Sequence, residues 1–293
     1  MIKVYHTYNN VKHHDVILHE LELYLKNKYN AELIISNNEI ELPGGIVVSD
    51  CSLLIEDTVT NTFKGITFAD SPYRFLPFFQ NRNNPNDILL ISQYNEEESK
   101  SSQYQCKIKK SIYVASSPSI DLDHYYNKRQ ENKDYIDKFY FRGNINAIGR
   151  SVIPLLSHTP YFYGGHSINT ADYFDELINY KVGLCIPGVG EFCYRDIEYM
   201  GVGIPMVKFQ YINELYHPLI PNYHYISIDR IGDLTSERNG KEEHMDAYIK
   251  RFLEVKDDKE FLSFISNNAR KYYEDYLHPT VRLNQIINLL EIW

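Results

Sequence analysis

Residues 181–210, KVGLCIPGVGEFCYRDIEYMGVGIPMVKFQ, decide how the rest of the chain is read. Val182 to Ile186 is a short apolar run closed by Pro187-Gly188, the pattern of a buried strand. Gly188 and Gly190 let a backbone loop approach a ligand closely. A helix is expected from near Cys193 to Gly201 or Gly203, followed by a second buried strand over Ile204 to Val207. A βαβ unit with glycines at the carboxyl end of its first strand is where open α/β sheets hold phosphorylated ligands. Arg195 and Glu198, three residues apart, share one face near the start of that helix. The arginine suits a diphosphate and the carboxylate suits sugar hydroxyls, so the stretch reads as a nucleotide-sugar site.

Outward from this unit, the bulk properties describe an ordinary soluble globular chain. Its 293 residues suit two domains, with apolar residues at 43% and charged residues at 24%. A net charge of −9 argues against a general nucleic-acid binder, which carries a basic excess. No apolar run reaches the ~18–20 residues needed to span a membrane. The opening MIKVYHTYNN reads as a first strand, not a signal peptide, which gives a cytoplasmic expectation. Cys51, Cys106, Cys185 and Cys193 contain no CxxC and read as reduced thiols. The 26 tyrosines suit a carbohydrate-facing surface, since each ring is apolar with a polar tip.

In the first half, Ile2–His6 reads as a strand and Asp15–Tyr29 as a helix, with Val16, Leu18, Leu21, Leu23 and Leu25 on its apolar side. Ile46–Val48, Ser52–Ile55, Gly65–Phe68, Ile88–Ser92 and Ile112–Ala115 read as further strands, with a turn over Thr58–Thr62. Ser116–Pro118 and the charged segment Asp121–Lys138 read as a linker region. A second α/β run follows: a strand at Phe139–Phe141, a helix over Ala147–Leu156, a strand at Tyr161–Tyr163 and a helix over Ala171–Asn179. Beyond the opening unit come a strand at Tyr225–Ile228 and a helical end. The expected division is residues 1–125, 126–276 and a terminal helix over 277–293 that packs back on the first domain. Alternating strands and helices in both halves imply α/β architecture with two Rossmann-like units.

A second cluster supports the first. Phe139-Tyr140-Phe141-Arg142-Gly143-Asn144 places a guanidinium at a sheet's carboxyl edge, and the helix expected next carries Arg150. Guanidinium forks match phosphate oxygens bidentately, so Arg142, Arg150 and Arg195 are expected to converge on one diphosphate. Tyr161-Phe162-Tyr163-Gly164-Gly165-His166 ends in a loop whose Gly165 and His166 are candidates for contact with a nucleotide base.

The run Phe-Arg-Gly, then Pro-Gly-Val-Gly-Glu-Phe-Cys-Tyr-Arg-Asp-Ile-Glu and Gly-Ile-Pro-Met-Val, resembles the exostosin-type glycosyltransferases. Pro221-Asn222-Tyr223-His224-Tyr225 and Ser266–Tyr272 look like elements of the capsule-associated and protein O-glucosyltransferase family. The resemblance covers roughly residues 135–280. It implies a GT-B fold, two Rossmann-like domains facing across a cleft, that binds the donor in the second and works without a metal or other cofactor. Carried onto this sequence, Arg195 would bind the diphosphate and Glu198 the ribose or sugar, with Gly188, Gly190 and Glu191 of the glycine loop counted among the donor-binding residues. Arg142 looks like the arginine that faces the phosphates. Cys193 stands where the related families often carry serine, so the hydroxyl is missing there.

Inverting transfer needs a base on the acceptor side. Ile66-Thr67-Phe68-Ala69-Asp70-Ser71-Pro72 looks like the Asp-x-Pro of the protein O-glucosyltransferases, which makes Asp70 the candidate, followed by Asp57 and Glu191. Asp121-Leu122-Asp123 has the form of a metal-binding Asp-x-Asp but lies in the charged linker, so no metal is expected. The expected reaction is transfer from a nucleoside diphosphate sugar, with UDP favoured, to a glycan or glycoprotein hydroxyl. The alternatives are a nucleotide-sugar epimerase and a non-catalytic carbohydrate or nucleotide binder.

Overall fold

The computed structural model describes residues 1–7, 16–43, 46–48, 52–67, 78–79, 81–82, 84–91, 107–110, 120–132, 134–145, 150–186, 192–211, 215–231 and 241–291. The chain forms two compact units. Unit 1 joins Met1–Ser119, Asn213–Pro218 and Tyr276–Trp293; unit 2 joins Ile120–Ile212 and Leu219–Asp275. The α/β class expected from the alternation of elements is the one observed.

Unit 1 runs β1 (Ile2–Thr7), α1 (Val16–Tyr29), β2 (Glu32–Ser36), β3 (Ile40–Leu42), β4 (Ile46–Val48), β5 (Ser52–Asp57), β6 (Thr62–Thr67), β7 (Ile88–Ile91) and β8 (Lys107–Lys110). Its main sheet has the order β2-β1-β5-β6-β7-β8, and β3 and β4 form a separate pair. Only β5 runs against its neighbours, because the tight turn after it makes a hairpin with β6. Asp57 closes that turn by accepting from Val59 N at 2.9 Å and Thr60 Oγ1 at 2.7 Å, so this buried carboxylate caps the turn. Helix α1 buries Ile17, Leu18, Leu21 and Leu25, while Leu23 is 43% exposed. The 3.6-residue period puts Leu23 on the outer face, which corrects its expected place. Each buried leucine contributes about 1.5–3 kcal/mol.

Unit 2 runs α2 (Leu122–Gln130), β9 (Ile136–Arg142), α3 (Ile153–Leu156), β10 (Phe162–Gly165), α4 (Thr170–Leu177), β11 (Tyr180–Leu184), α5 (Tyr194–Val202), β12 (Met206–Phe209), β13 (Ile226–Ile228), α6 (Lys241–Val255) and α7 (Lys259–Tyr272). A π-helical turn over Tyr273–Leu277 leads to α8 (Pro279–Leu289), which belongs to unit 1 and packs on α1. Among the described residues no helix is long and apolar enough to cross a membrane.

The sheet of unit 2 is wholly parallel, in the order β10-β9-β11-β12-β13. The chain starts at β9, steps one way to β10, returns to β11 and then moves the other way. That reversal makes a topological switch point between the carboxyl ends of β9 and β11, where doubly wound sheets hold ligands. Strand alternation sorts β9 into two faces. Phe139 and Phe141 join Val182, Leu184, Phe252 and Ile265 in one core, while Tyr140 stacks with Tyr163 and Tyr180 on the other face.

Three expectations change here. The charged segment Asp121–Lys138 is not a linker: it contains α2 and the start of β9, with Asp121 accepting from His124 N as the helix cap. The helix expected over Ala147–Leu156 has its described turns only over Ile153–Leu156, so Arg150 precedes it. Strand β10 extends through Gly165, leaving only His166 beyond it, exposed.

Candidate anion site at the switch point of unit 2

Helix α5 is fixed at both ends before it presents any side chain. Its carboxyl end is closed by Gly203 at φ +70°, the left-handed cap that glycine adopts without strain. At its start, Asp196 Oδ2 accepts from Cys193 N at 2.8 Å. Asp196 Oδ1 accepts from Lys208 Nζ of β12 at 2.6 Å, and Tyr211 also donates to it. Burial alone would raise the Asp196 carboxyl, but Lys208 and these hydrogen bonds hold it below the usual carboxylate range. Burial likewise presses on Lys208, and Asp196 raises it in return. In mid-helix, Tyr199 Oη donates to the carbonyls of Tyr140 and Leu184 at 3.1 and 3.3 Å. One side chain thereby ties α5 to both strands that form the switch point.

This frame places Arg195 on the carboxyl end of β9. Its Nη2 donates to Arg142 O at 2.6 Å and its guanidinium lies 4.3 Å from the Phe141 ring centroid. Arg150 reaches the same place from the other side, with Nη1 on Asn144 O at 2.8 Å and its guanidinium 5.5 Å from Phe141. Gly143 lies between them. A Cβ there would come within 2.5 Å of Arg195 Nη2 and 3.3 Å of Arg150 Nη1, so both guanidinium groups need a glycine at this position. Arg195 is 1% and Arg150 5% exposed.

Two buried cations side by side are costly. Arg150 Nε, Arg195 Nε and Arg195 Nη1 are buried with no hydrogen-bond partner, and among the described residues neither guanidinium pairs with a carboxylate. Burial, and after it the like charge of Arg195, pushes the Arg150 pKa down. Guanidinium does not lose its proton in response. What relieves such a site is an anion with several acceptor oxygens.

The remaining predicted residues divide. Glu198, 4% exposed on the same helix, accepts from Tyr173 Oη at 3.0 Å. Burial and then this carboxylate raise the Tyr173 pKa well above the ordinary phenol value. Arg142 does not join the other two arginines through its side chain: Nε and Nη2 bind Glu176 at 3.0 and 3.1 Å. The period of two along β9 puts it on the face of Tyr140, so it offers Arg195 its carbonyl and not its charge. Gly165 accepts from Gly143 N through its carbonyl at 3.0 Å, and a Cβ at Gly165 would meet nothing within 4 Å. Asp123 pairs with Arg270 at 2.6 Å. His224 is a packed histidine that accepts from Ile220 N at 2.9 Å; burial lowers its pKa to about 4. Asp70, Gly188, Gly190 and Glu191 lie outside the described residues.

Sequence reasoning missed Glu176, Tyr173, Asp196 and Lys208. One signal was available: Lys208 sits inside MVKF, a strand otherwise apolar, and a lysine there needs a buried counter-charge.

No family model and no curated protein matches the chain. Among solved structures, the pneumococcal O-GlcNAc transferase GtfA with UDP and GlcNAc is similar over 92% of this chain and 54% of its own, at 12% identity and a TM-score of 0.46. The chain thus spans about half the length of GtfA. Anabaena Alr3699/HepE with UDP and glucose is similar over 78% of this chain and 71% of its own, at 13% identity and a TM-score of 0.43. For TarM the shares are 86% and 68%, at 10% identity and a TM-score of 0.38. Likeness at this level does not specify a chemistry.

Proposed function

We propose that the chain is a glycosyltransferase of the GT-B kind that moves a sugar from a nucleoside diphosphate donor to a hydroxyl of a glycan or glycoprotein. The observation that carries this reading is the Arg150–Arg195 pair, buried and short of partners, at the switch point of a parallel sheet. Transfer breaks the bond between the anomeric carbon and the diphosphate, so charge develops on the leaving phosphate. Two preorganised guanidinium groups stabilise that charge without a metal ion. Glu198, one turn further along α5, is the residue assigned to accept from a hydroxyl of the ribose or sugar. In an inverting reaction a carboxylate takes the acceptor proton, and Asp70 is the residue assigned to it.

Ligand-dependent melting tests the reading, because a ligand that binds only the folded state raises its melting temperature. UDP is the first nucleotide to use, with GDP and TDP beside it, each with and without EDTA. Stabilisation by one diphosphate, indifferent to EDTA and lost in Arg195→Ala, is the expected result. No shift with any of them, or a shift only with added divalent cation, overturns it.

A further inference from the structure

Two thiols lie near enough to the arginine pair to interact with both guanidinium groups. Cys185 follows β11 and Cys193 caps α5; in sequence they bracket the glycine-bearing segment 187–191. Both are reduced and buried, and their sulfurs lie within 4.8 Å of each other and of an Asp196 carboxylate oxygen. Such a group of three ligand atoms has the outline of a metal site, but its charges argue otherwise. The Asp196 carboxylate is already neutralised by Lys208 and accepts from Tyr211 and Cys193 N, so little of it is left for an ion. With Arg195 also near, an arriving cation meets two resident ones. The two cations favour a thiolate at Cys193. A hydrogen bond from Cys185 lowers the Cys193 pKa against the opposing effects of burial and Asp196, with Arg195 and Lys208 acting in the same direction as the hydrogen bond, while burial raises Cys185.

Resting on the diphosphate-site reading above, we propose that Cys185 and Cys193 form a reversible thiol switch that turns the anion site off when a hydroperoxide oxidises the pair. The Cys193 thiolate attacks the peroxide oxygen, the O–O bond breaks, and the leaving oxygen departs as water or alcohol with the Cys193 sulfur as sulfenic acid. The Cys185 sulfur then displaces that hydroxyl as a second water. The sulfurs are joined, the protein has lost two hydrogens, and one equivalent of hydroperoxide is reduced. Bond formation draws the first turn of α5 toward the end of β11. Arg195 stands in that turn, so its guanidinium leaves the position set by Arg142 O and Gly143.

The test uses the full chain and hydrogen peroxide, followed by alkylation, intact mass, peptide mapping and calorimetry with UDP. Reduced protein is expected to bind UDP. Peroxide should give a Cys185–Cys193 cross-link, weaken UDP binding at least roughly tenfold, and be reversed by dithiothreitol. Cys185→Ser should bind UDP like reduced wild type and lose the reversible response. Failure to form the cross-link while Cys51 or Cys106 is oxidised overturns the switch. So does a cross-link that leaves UDP affinity unchanged, or a Cys185→Ser variant that still responds reversibly. If reduced protein binds no nucleotide, the nucleotide reading fails by itself. Inorganic pyrophosphate then serves as the anion probe: redox-sensitive binding keeps the switch, and binding that ignores redox state, or none at all, removes it.

Discussion

Arg150 and Arg195 carry opposite consequences for binding and for stability. A buried guanidinium with an orphaned nitrogen destabilises the empty protein, and an anion reverses that cost. Arg150→Met keeps most of the side-chain volume and removes the like-charge neighbour of Arg195. It is expected to weaken UDP binding by about 1.5–3 kcal/mol, since hydrogen bonds to charged groups are worth that much. The ligand-free protein should melt at the same temperature or a few degrees higher. Calorimetry and scanning melts read both arms, and a variant that binds normally or melts well below wild type contradicts the assignment. These two arginines were legible because each follows a strand end by a short interval. Arg142 looked equivalent in sequence, yet its parity along β9 sends it to Glu176. That partner is thirty-four positions away, too far for local spacing to announce.

At the scale of elements, the start of α5 depends on a buried ion pair with β12. Asp196 titrates low in the folded state, so its contribution is fully present above the ordinary carboxylate pKa of about 3.9 and is lost as pH falls through the lower folded value. Lys208→Met leaves that carboxylate buried without its cation, at an expected cost of about 3–5 kcal/mol at neutral pH. Asp196 then titrates above the ordinary value, so the gap from wild type starts to narrow above about pH 4, as the variant takes up its proton, and narrows further below it, as wild type loses its own contribution. Urea midpoints for both proteins across pH 3 to 7 check it; a gap that stays constant refutes the pairing as the cause. The helix α5 and its flanking strands were readable because apolar runs, glycine and helical period all agreed there. Strands β2 and β3 were not, since Glu32–Ser36 and Ile40–Leu42 are only half-buried and short. The expected helix over 147–156 overlooked Pro154, which lacks an amide hydrogen and marks a helix start.

For the whole molecule, unit 1 is discontinuous. Its last piece, Tyr276–Trp293, comes after unit 2 in the chain and supplies α8 to α1, with Lys64 Nζ donating to Glu291 O at 2.7 Å. Deleting residues 279–293 should therefore lower the stability of unit 1 while leaving unit 2 and its arginine pair intact. Hydrogen exchange resolves the two: protection should fall in β1 and α1 and persist in β9 and β11. Loss of protection in unit 2 of comparable size would contradict the division. The two-unit α/β plan was legible because strand and helix patterns repeat in both halves. The partnership between α1 and α8 was not, since no local pattern in α8 names what covers it.

The same discontinuity orders events on the ribosome. Synthesis runs from the amino end, yet unit 1 lacks its final helix until residues 276–293 have left the exit tunnel. Unit 2 is complete in sequence at Asp275. The half that begins to emerge first is thus the half that finishes folding last, and in the interval α1 holds out an uncovered apolar flank to the chaperones.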